Sequence, residues 1–350
     1  MLTRRGRTVV VVAVAALLFA LLFGARSLNA VIVPAVVALA AGYVQVSTTP
    51  DVIVERTPPA DAHVSETRTA ELELVRRNGA EIARPFPSDV TERLAAGLTP
   101  IPTEDGGTVL ERADGDVELT FETAVGTGTL SYDVRYESRG RHKLGPATVT
   151  TTDAFGLFAT KTELTGTEST LVYPRVRRLG RVGRRSLGRL QEFGRSDQRG
   201  EFAELREYVP GDPLRDINWK TTAKREELIV TEFAAETEAE TVSVAAGANA
   251  DGADTMAEAT ASVVSSLVAS GVPVELSLPR GDLRVGPEYG GERAMLRTLA
   301  TVAAGPIPDD DADVVIKGRA ADASVDVRGE HHLFSEIVGD AAGQTAEVAA

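Results

Sequence analysis

Leu130-Ser131-Tyr132-Asp133-Val134-Arg135-Tyr136 alternates apolar and polar side chains without a break. Successive side chains of a strand point to opposite faces, so such a stretch lays one face on a core and one in water. The same period runs through Glu71-Leu72-Glu73-Leu74-Val75 and Val117-Glu118-Leu119-Thr120-Phe121. Asn78-Gly79, Asp105-Gly106-Gly107, Asp114-Gly115 and Gly126 punctuate the runs as turns. Short alternating strands divided by turns predict an antiparallel β-sandwich over residues 48–172, with Pro50 and Pro58-Pro59 stiffening its approach. Arg139, Arg141 and Lys143 make the turn at 139–146 basic, a secondary candidate for phosphate or partner contact on what is otherwise a hairpin. In Asp153-Ala154-Phe155-Gly156-Leu157-Phe158, the apolar Phe155, Leu157 and Phe158 are expected to close the sandwich base.

Upstream, Val9 to Ala25 carries no charge, and Leu28 to Val46 is interrupted only by Asn29, Pro34 and Gln45. A helix rises about 1.5 Å per residue, so each stretch reaches about 25–29 Å, the short edge of what crosses a bilayer. Residues 1–47 therefore read as a transmembrane helical hairpin with the lipid bilayer as partner. A cleaved signal peptide is the competing reading, but its apolar core is ordinarily about 7–15 residues, with no second span at once behind it. Arg4, Arg5 and Arg7 precede the first span, whereas the turn holds Arg26. Positive residues stay inside, so a cell-membrane location with both ends, and hence the soluble part, in the cytoplasm is expected.

The 350 residues contain no Cys, which excludes disulfides, thiolate metal sites, iron–sulfur clusters and thiol catalysis. A formal net charge of −14 argues against nucleic acid as a partner. Only Lys143, Lys161, Lys220, Lys224 and Lys317 are lysines among 37 basic residues. An acidic, Lys-poor chain suits molar salt, where the Debye length falls to about 3 Å, and a halophilic source is expected; a GC-rich genome would produce the same Arg bias.

Residues 173–240 reverse the sign locally, with nine Arg and two acids between Arg175 and Arg199. This reads as a basic connector that pairs with acidic residues or meets a partner or membrane surface. Pro210-Gly211 then marks a turn, Asp212 fits a helix N-cap and Pro213 the first helical position. Arg206, Asp212, Arg215 and Asp216 alternate in charge beside Trp219, a pattern suited to a buried ion-pair lock with the indole as plug. Residues 202–209 fit strand or helix equally; Leu228 to Phe233 reads as a strand. From 241 to 335, strand-like Thr241–Ala246, a helix over Asp254–Ser270, strand Val272–Leu278, helix Glu292–Ala303 and strand Val314–Ile316 predict an open α/β sheet, with 336–350 as a tail. Asp309, Asp310, Asp311 and Asp313 read as a solvated acidic loop, and His331-His332 as a frayed pair without a third ligand.

Leu205-Arg206-Glu207-Tyr208-x-Pro-Gly211-Asp212, followed by Arg215-x-Ile217-x-Trp219-Lys220-x-x-Ala223-Lys224, resembles the signature of the domain-of-unknown-function 58 family. Lys224 departs from the Arg common there, which weakens any bidentate contact. The resemblance implies a multi-domain α+β chain whose C-terminal α/β part is similar to a von Willebrand factor A fold. It further implies a membrane-anchored, non-catalytic scaffold or assembly factor working with a MoxR-type AAA+ ATPase and von Willebrand factor A proteins. Such A domains ligate Mg²⁺ after their first strand; Ala245-Ala246-Gly247-Ala248-Asn249-Ala250 offers neither carboxylate nor hydroxyl there, so no metal and no cofactor are expected. The alternatives are a hydrolase using Asp212, Asp216 and Lys220 as acid–base groups, and a cation-binding adhesion module.

Overall fold

The computed structural model describes residues 1–24, 26–77, 82, 85–101, 108–126, 128–196, 204–209, 219, 222, 228–232, 241–286 and 289–339. Met1–Tyr173 and Pro174–Ala350 form two compact units.

The first unit begins with helices α1 (Arg4–Phe23) and α2 (Asn29–Ser47), both long and apolar enough to cross a membrane. Many of their Val, Leu and Phe side chains are exposed. Eleven strands follow: β1 (Val52–Thr57), β2 (Ala62–His63), β3 (Thr67–Arg76), β4 (Phe86–Leu94), β5 (Leu98–Ile101), β6 (Thr108–Glu111), β7 (Val117–Val125), β8 (Leu130–Tyr136), β9 (Gly140–Thr152), β10 (Ala159–Leu164) and β11 (Glu168–Tyr173). One sheet runs β1-β3-β8-β5 and the other β2-β11-β9-β4-β7-β6, with β10 also on β9. Ala70, Tyr132, Val134 and Tyr136 from the first sheet share a core with Leu94, Leu119, Phe121, Leu144 and Val172 from the second. Tyr136 is fully enclosed, and its hydroxyl donates to the Ala60 carbonyl at 2.9 Å, so burial leaves no orphaned donor.

An ion pair sits within this unit. Arg56 on β1 grips Glu92 on β4 through Nε–Oε1 at 2.7 Å and a second bond of 3.0 Å, with the two side chains 3% and 0% exposed. Burial holds the Glu92 carboxyl above its ordinary value, a rise that the two bonds from Arg56 reduce but do not cancel. Gly145, at φ +92°, lets the guanidinium pass; a Cβ there would lie 2.9 Å from the Arg56 side chain and 2.7 Å from the Gly166 carbonyl.

The loop Asp153–Phe158 corrects the expected base plug. Phe155 is 58% exposed, and the loop instead holds both helices. Thr3 Oγ1 donates to the Gly156 carbonyl at 2.6 Å and Thr3 N to that of Leu157 at 2.9 Å. A Cβ on Gly6 would lie 2.2 Å from the Leu157 carbonyl, and one on Gly42 2.8 Å from the Asp153 carboxylate. Ala154 N donates to Gln45 Oε1, and the Tyr43 and Phe158 rings meet edge-on with centroids 5.9 Å apart. The buried Asp153 carboxylate orders the loop by accepting from Phe155 N and Phe158 N.

The second unit starts with helix α3 (Arg181–Ser196) and the two-stranded ribbon β12 (Glu204–Glu207) and β13 (Ile229–Glu232). Its main sheet comprises β14 (Val242–Ala248), β15 (Val274–Leu278), β16 (Gly281–Val285), β17 (Val314–Gly318), β18 (Ala323–Val327) and β19 (Glu330–Leu333), ordered β16-β15-β14-β17-β18-β19. The β14–β15 and β14–β17 pairs are parallel and the others antiparallel. Helices α4 (Ala253–Ala269), α5 (Glu292–Thr301) and the short α6 (Phe334–Ile337) complete it. On α4, Met256, Ala257, Ala259, Thr260, Ala261, Ser262, Val263, Val264 and Leu267 are buried, and Arg177 bonds Glu258 and Ser262.

Two further expectations change. The basic segment is no mere connector: Leu179, Leu187 and Leu190 are buried in the same core as β14, with the spacing of Leu187 and Leu190 giving α3 one apolar face. His331 and His332 lie on an ordered strand; His332 Nε2 is 3.0 Å from Ser186 Oγ on α3, and His331 pairs with Asp326.

Candidate functional site

The signature segment is anchored by the ribbon. Leu205 faces Thr231 and Arg206 faces Val230 across an antiparallel pair, so residues 202–209, open between strand and helix in the sequence, carry a strand. Tyr208 N extends the ladder by donating to the Leu228 carbonyl at 2.8 Å. Gly211, Asp212, Arg215, Asp216, Lys220 and Lys224 lie outside the described residues. Trp219 is described and is 63% exposed, unlike the buried plug expected of it. Val209 and Leu228, at the ribbon's end, are exposed as well.

A second candidate lies in the main sheet. Strand β14 has β15 on one side and β17 on the other, so the chain order reverses at β14, and clefts form beyond the carboxyl ends of strands at such a point. A cavity of about 580 Å³ opens there, lined by Ala248, Asn249, Pro306, Ile307, Asp310 and Lys317 among others. Ala248 and Gly305 exchange backbone hydrogen bonds of 2.9 and 3.1 Å, which fixes one wall. Asp310 and Lys317 supply opposite charges, and Asn249 a neutral amide. Among the described residues, no three His, Asp or Glu side chains stand where they could hold a metal ion.

The acidic run beside this cavity is not uniformly solvated. Asp313 Oδ2 accepts from Ser243 N and Oγ at 3.0 and 2.9 Å, and Oδ1 accepts from Arg328 Nε and a terminal nitrogen at 2.9 and 2.7 Å. Burial would raise its carboxyl, but the bonds from Arg328 and Ser243 prevail and hold it below the ordinary Asp value. The ionised form is thus favoured by folding; its contribution is complete above about pH 4 and is lost as pH falls through the depressed value. We expect Asp313→Asn to lower the urea midpoint at about pH 6 and to lose much of that deficit at about pH 3. An equal deficit at both pH values would refute this role.

Arg139, Arg141 and Lys143 belong to the first unit. Arg141 and Lys143 are exposed on β9, while His142 between them is buried, its ring nitrogens each 2.8 Å from the carbonyls of Ala96 and Ser138. The segment is therefore a hairpin pinned by His142, with Arg141 and Lys143 turned outward and Arg139 half-buried.

Residues 204–350 match the family model described as Protein of unknown function DUF58. An uncharacterized Bacillus subtilis (strain 168) protein, YeaD, is 29% identical over 184 residues, 49% of this chain and 45% of its own length. The chain thus spans less than half of that relative. Among solved structures, a cohesin module from a Clostridium perfringens family 33 glycoside hydrolase is 12% identical at TM-score 0.25, covering 35% of this chain and 98% of its own. The major pilin SpaD from Corynebacterium diphtheriae is 14% identical at TM-score 0.25, covering 34% of each chain. At such TM-scores the likeness carries no argument. The ribbon and Trp219 both fall inside the DUF58 match.

Proposed function

We propose that the protein is a membrane-anchored, non-catalytic scaffold that presents the DUF58 stretch to a soluble partner on the cytoplasmic side. One observation carries the reading: the stretch leaves Val209, Trp219 and Leu228 exposed at 57%, 63% and 42%, in a chain that also carries two bilayer-length helices. Exposed Trp is an expensive residue to leave in water and a common anchor of protein interfaces. By resemblance, the partner is a MoxR-type AAA+ ATPase, a von Willebrand factor A protein, or both. The main sheet is then read as a von Willebrand factor A-like domain in which Ala248-Asn249-Ala250 takes the place of cation ligands. The acidic, Lys-poor surface supports a high-salt setting.

The test is photocrosslinking in native membranes from position 219, with an exposed control at Val109. An adduct with an AAA+ ATPase or A-domain protein from 219 and none from 109 is expected. Trp219→Ala should reduce co-purification of that partner about tenfold or more, the scale of a lost interface anchor. Identical adducts from both positions, or unchanged recovery with Trp219→Ala, would sink the proposal.

A further inference from the structure

Where α2 ends, the chain passes Thr48, Pro50 and Asp51 before entering β1, and Arg76 and Arg77 lie beside it at the end of β3. These five residues line a cavity of about 420 Å³. Arg77 bonds Asp51, Nε to Oδ2 at 2.6 Å, in a pair whose side chains are 68% and 63% exposed. Exposed pairs contribute about 0–1 kcal/mol and exchange readily. Arg76 differs: its Nε is buried without a hydrogen-bond partner. Arg76 also lines the cavity beside Arg77, and two guanidinium groups facing one cavity present donors that match phosphate oxygens.

The height of the cavity is fixed. Thr48 N bonds the Val44 carbonyl of α2 at 3.1 Å and Arg77 N bonds the Asp51 carbonyl at 3.2 Å, which ties the lining residues to the helix end. The polar layer of a bilayer extends about 5–8 Å beyond the hydrocarbon on each side. A site within four residues of a spanning helix lies in that layer. Arg4, Arg5 and Arg7 open α1, whose Thr3 is bonded to the same loop, and each adds about 1 kcal/mol of attraction to an anionic surface.

We infer that Arg76 and Arg77 form a binding site for the phosphate of an anionic phospholipid headgroup, with Arg76 as the principal donor and Asp51 as the group that yields Arg77 to it. This rests on α1 and α2 spanning the membrane.

The test places the full chain in nanodiscs of phosphatidylcholine with a minor share of phosphatidylglycerol. Resistance of the chain to alkaline extraction reports spanning separately. Native mass spectrometry then counts phosphatidylglycerol retained per chain. Wild type should retain it, Arg76→Gln should lose it about tenfold, and Asp51→Asn should retain more than wild type. Excess inorganic phosphate should not displace it. Equal retention by wild type and Arg76→Gln overturns the site, and displacement by inorganic phosphate overturns its assignment to lipid. Alkaline extraction of wild type would overturn the spanning reading and this inference with it.

Discussion

Arg56→Leu should cost the first unit about 3–5 kcal/mol at neutral pH, because it leaves the Glu92 carboxylate buried without a counter-charge. Glu92 has no route to water at 0% exposure, so its relief in the variant is to bind a proton. The folded carboxyl, already above its ordinary value beside Arg56, then titrates higher still. Stability from a raised group is fully present below the unfolded value, about 4.3, and is lost as pH rises through the folded value. Urea midpoints of the full chain in detergent should therefore show a large deficit for Arg56→Leu at about pH 7 that narrows toward about pH 5. The double variant Arg56→Leu/Glu92→Leu should recover most of the loss, since two apolar side chains replace a pair that burial already penalises. A pH-independent deficit, or a double variant as weak as the single one, would show that the pair is not what holds β1 to β4.

Gly318→Ala should destabilise the second unit by about 3 kcal/mol, the upper part of the range for overpacking. Its Cβ would lie 2.1 Å from the Gly252 carbonyl and 2.6 Å from Met256 Cβ, so the added methyl meets backbone rather than a yielding side-chain tip. Gly252 faces the reciprocal clash, with a Cβ 2.3 Å from the Gly318 carbonyl. The N-terminus of α4 must then lift from the end of β17, loosening the fully buried Met256 and Leu267. Gly188 in α3 is the control. Nothing lies within 4 Å of its would-be Cβ, and Gly188→Ala should stabilise by about 0.5–1 kcal/mol through helix propensity. Calorimetry of the full chain separates the two outcomes by sign; two small shifts in the same direction would refute the close approach of α4 to β17.

The two-residue period made Leu130–Tyr136 legible, because one buried and one wet face leave no other solution for those side chains. The same period hid a fact in plain view: in Val90-Thr91-Glu92-Arg93-Leu94 it turns Glu92 inward with Val90 and Leu94, which already implies a buried partner such as Arg56. The helices of the hairpin were legible from apolarity alone. Their attachment was not, although Gly6 and Gly42, small residues near the loop-side ends of two long apolar helices, were the available signal for a close backbone approach. In the signature segment, the alternating charges suggested a buried lock, but charge order along a chain does not say whether a second layer exists to bury it. Asp313 looked like its neighbours Asp309–Asp311, and only its pairing with Ser243 and Arg328, remote in sequence, sets it apart.

The bonds from Thr3 to Gly156 and Leu157 impose an order on biogenesis. Ribosomes add about 5–20 residues per second, so roughly 8–30 s separate synthesis of Thr3 from that of its acceptors. On the proposed membrane topology, the first helix enters the bilayer with its root unfastened, and the sandwich later closes over it like a latch.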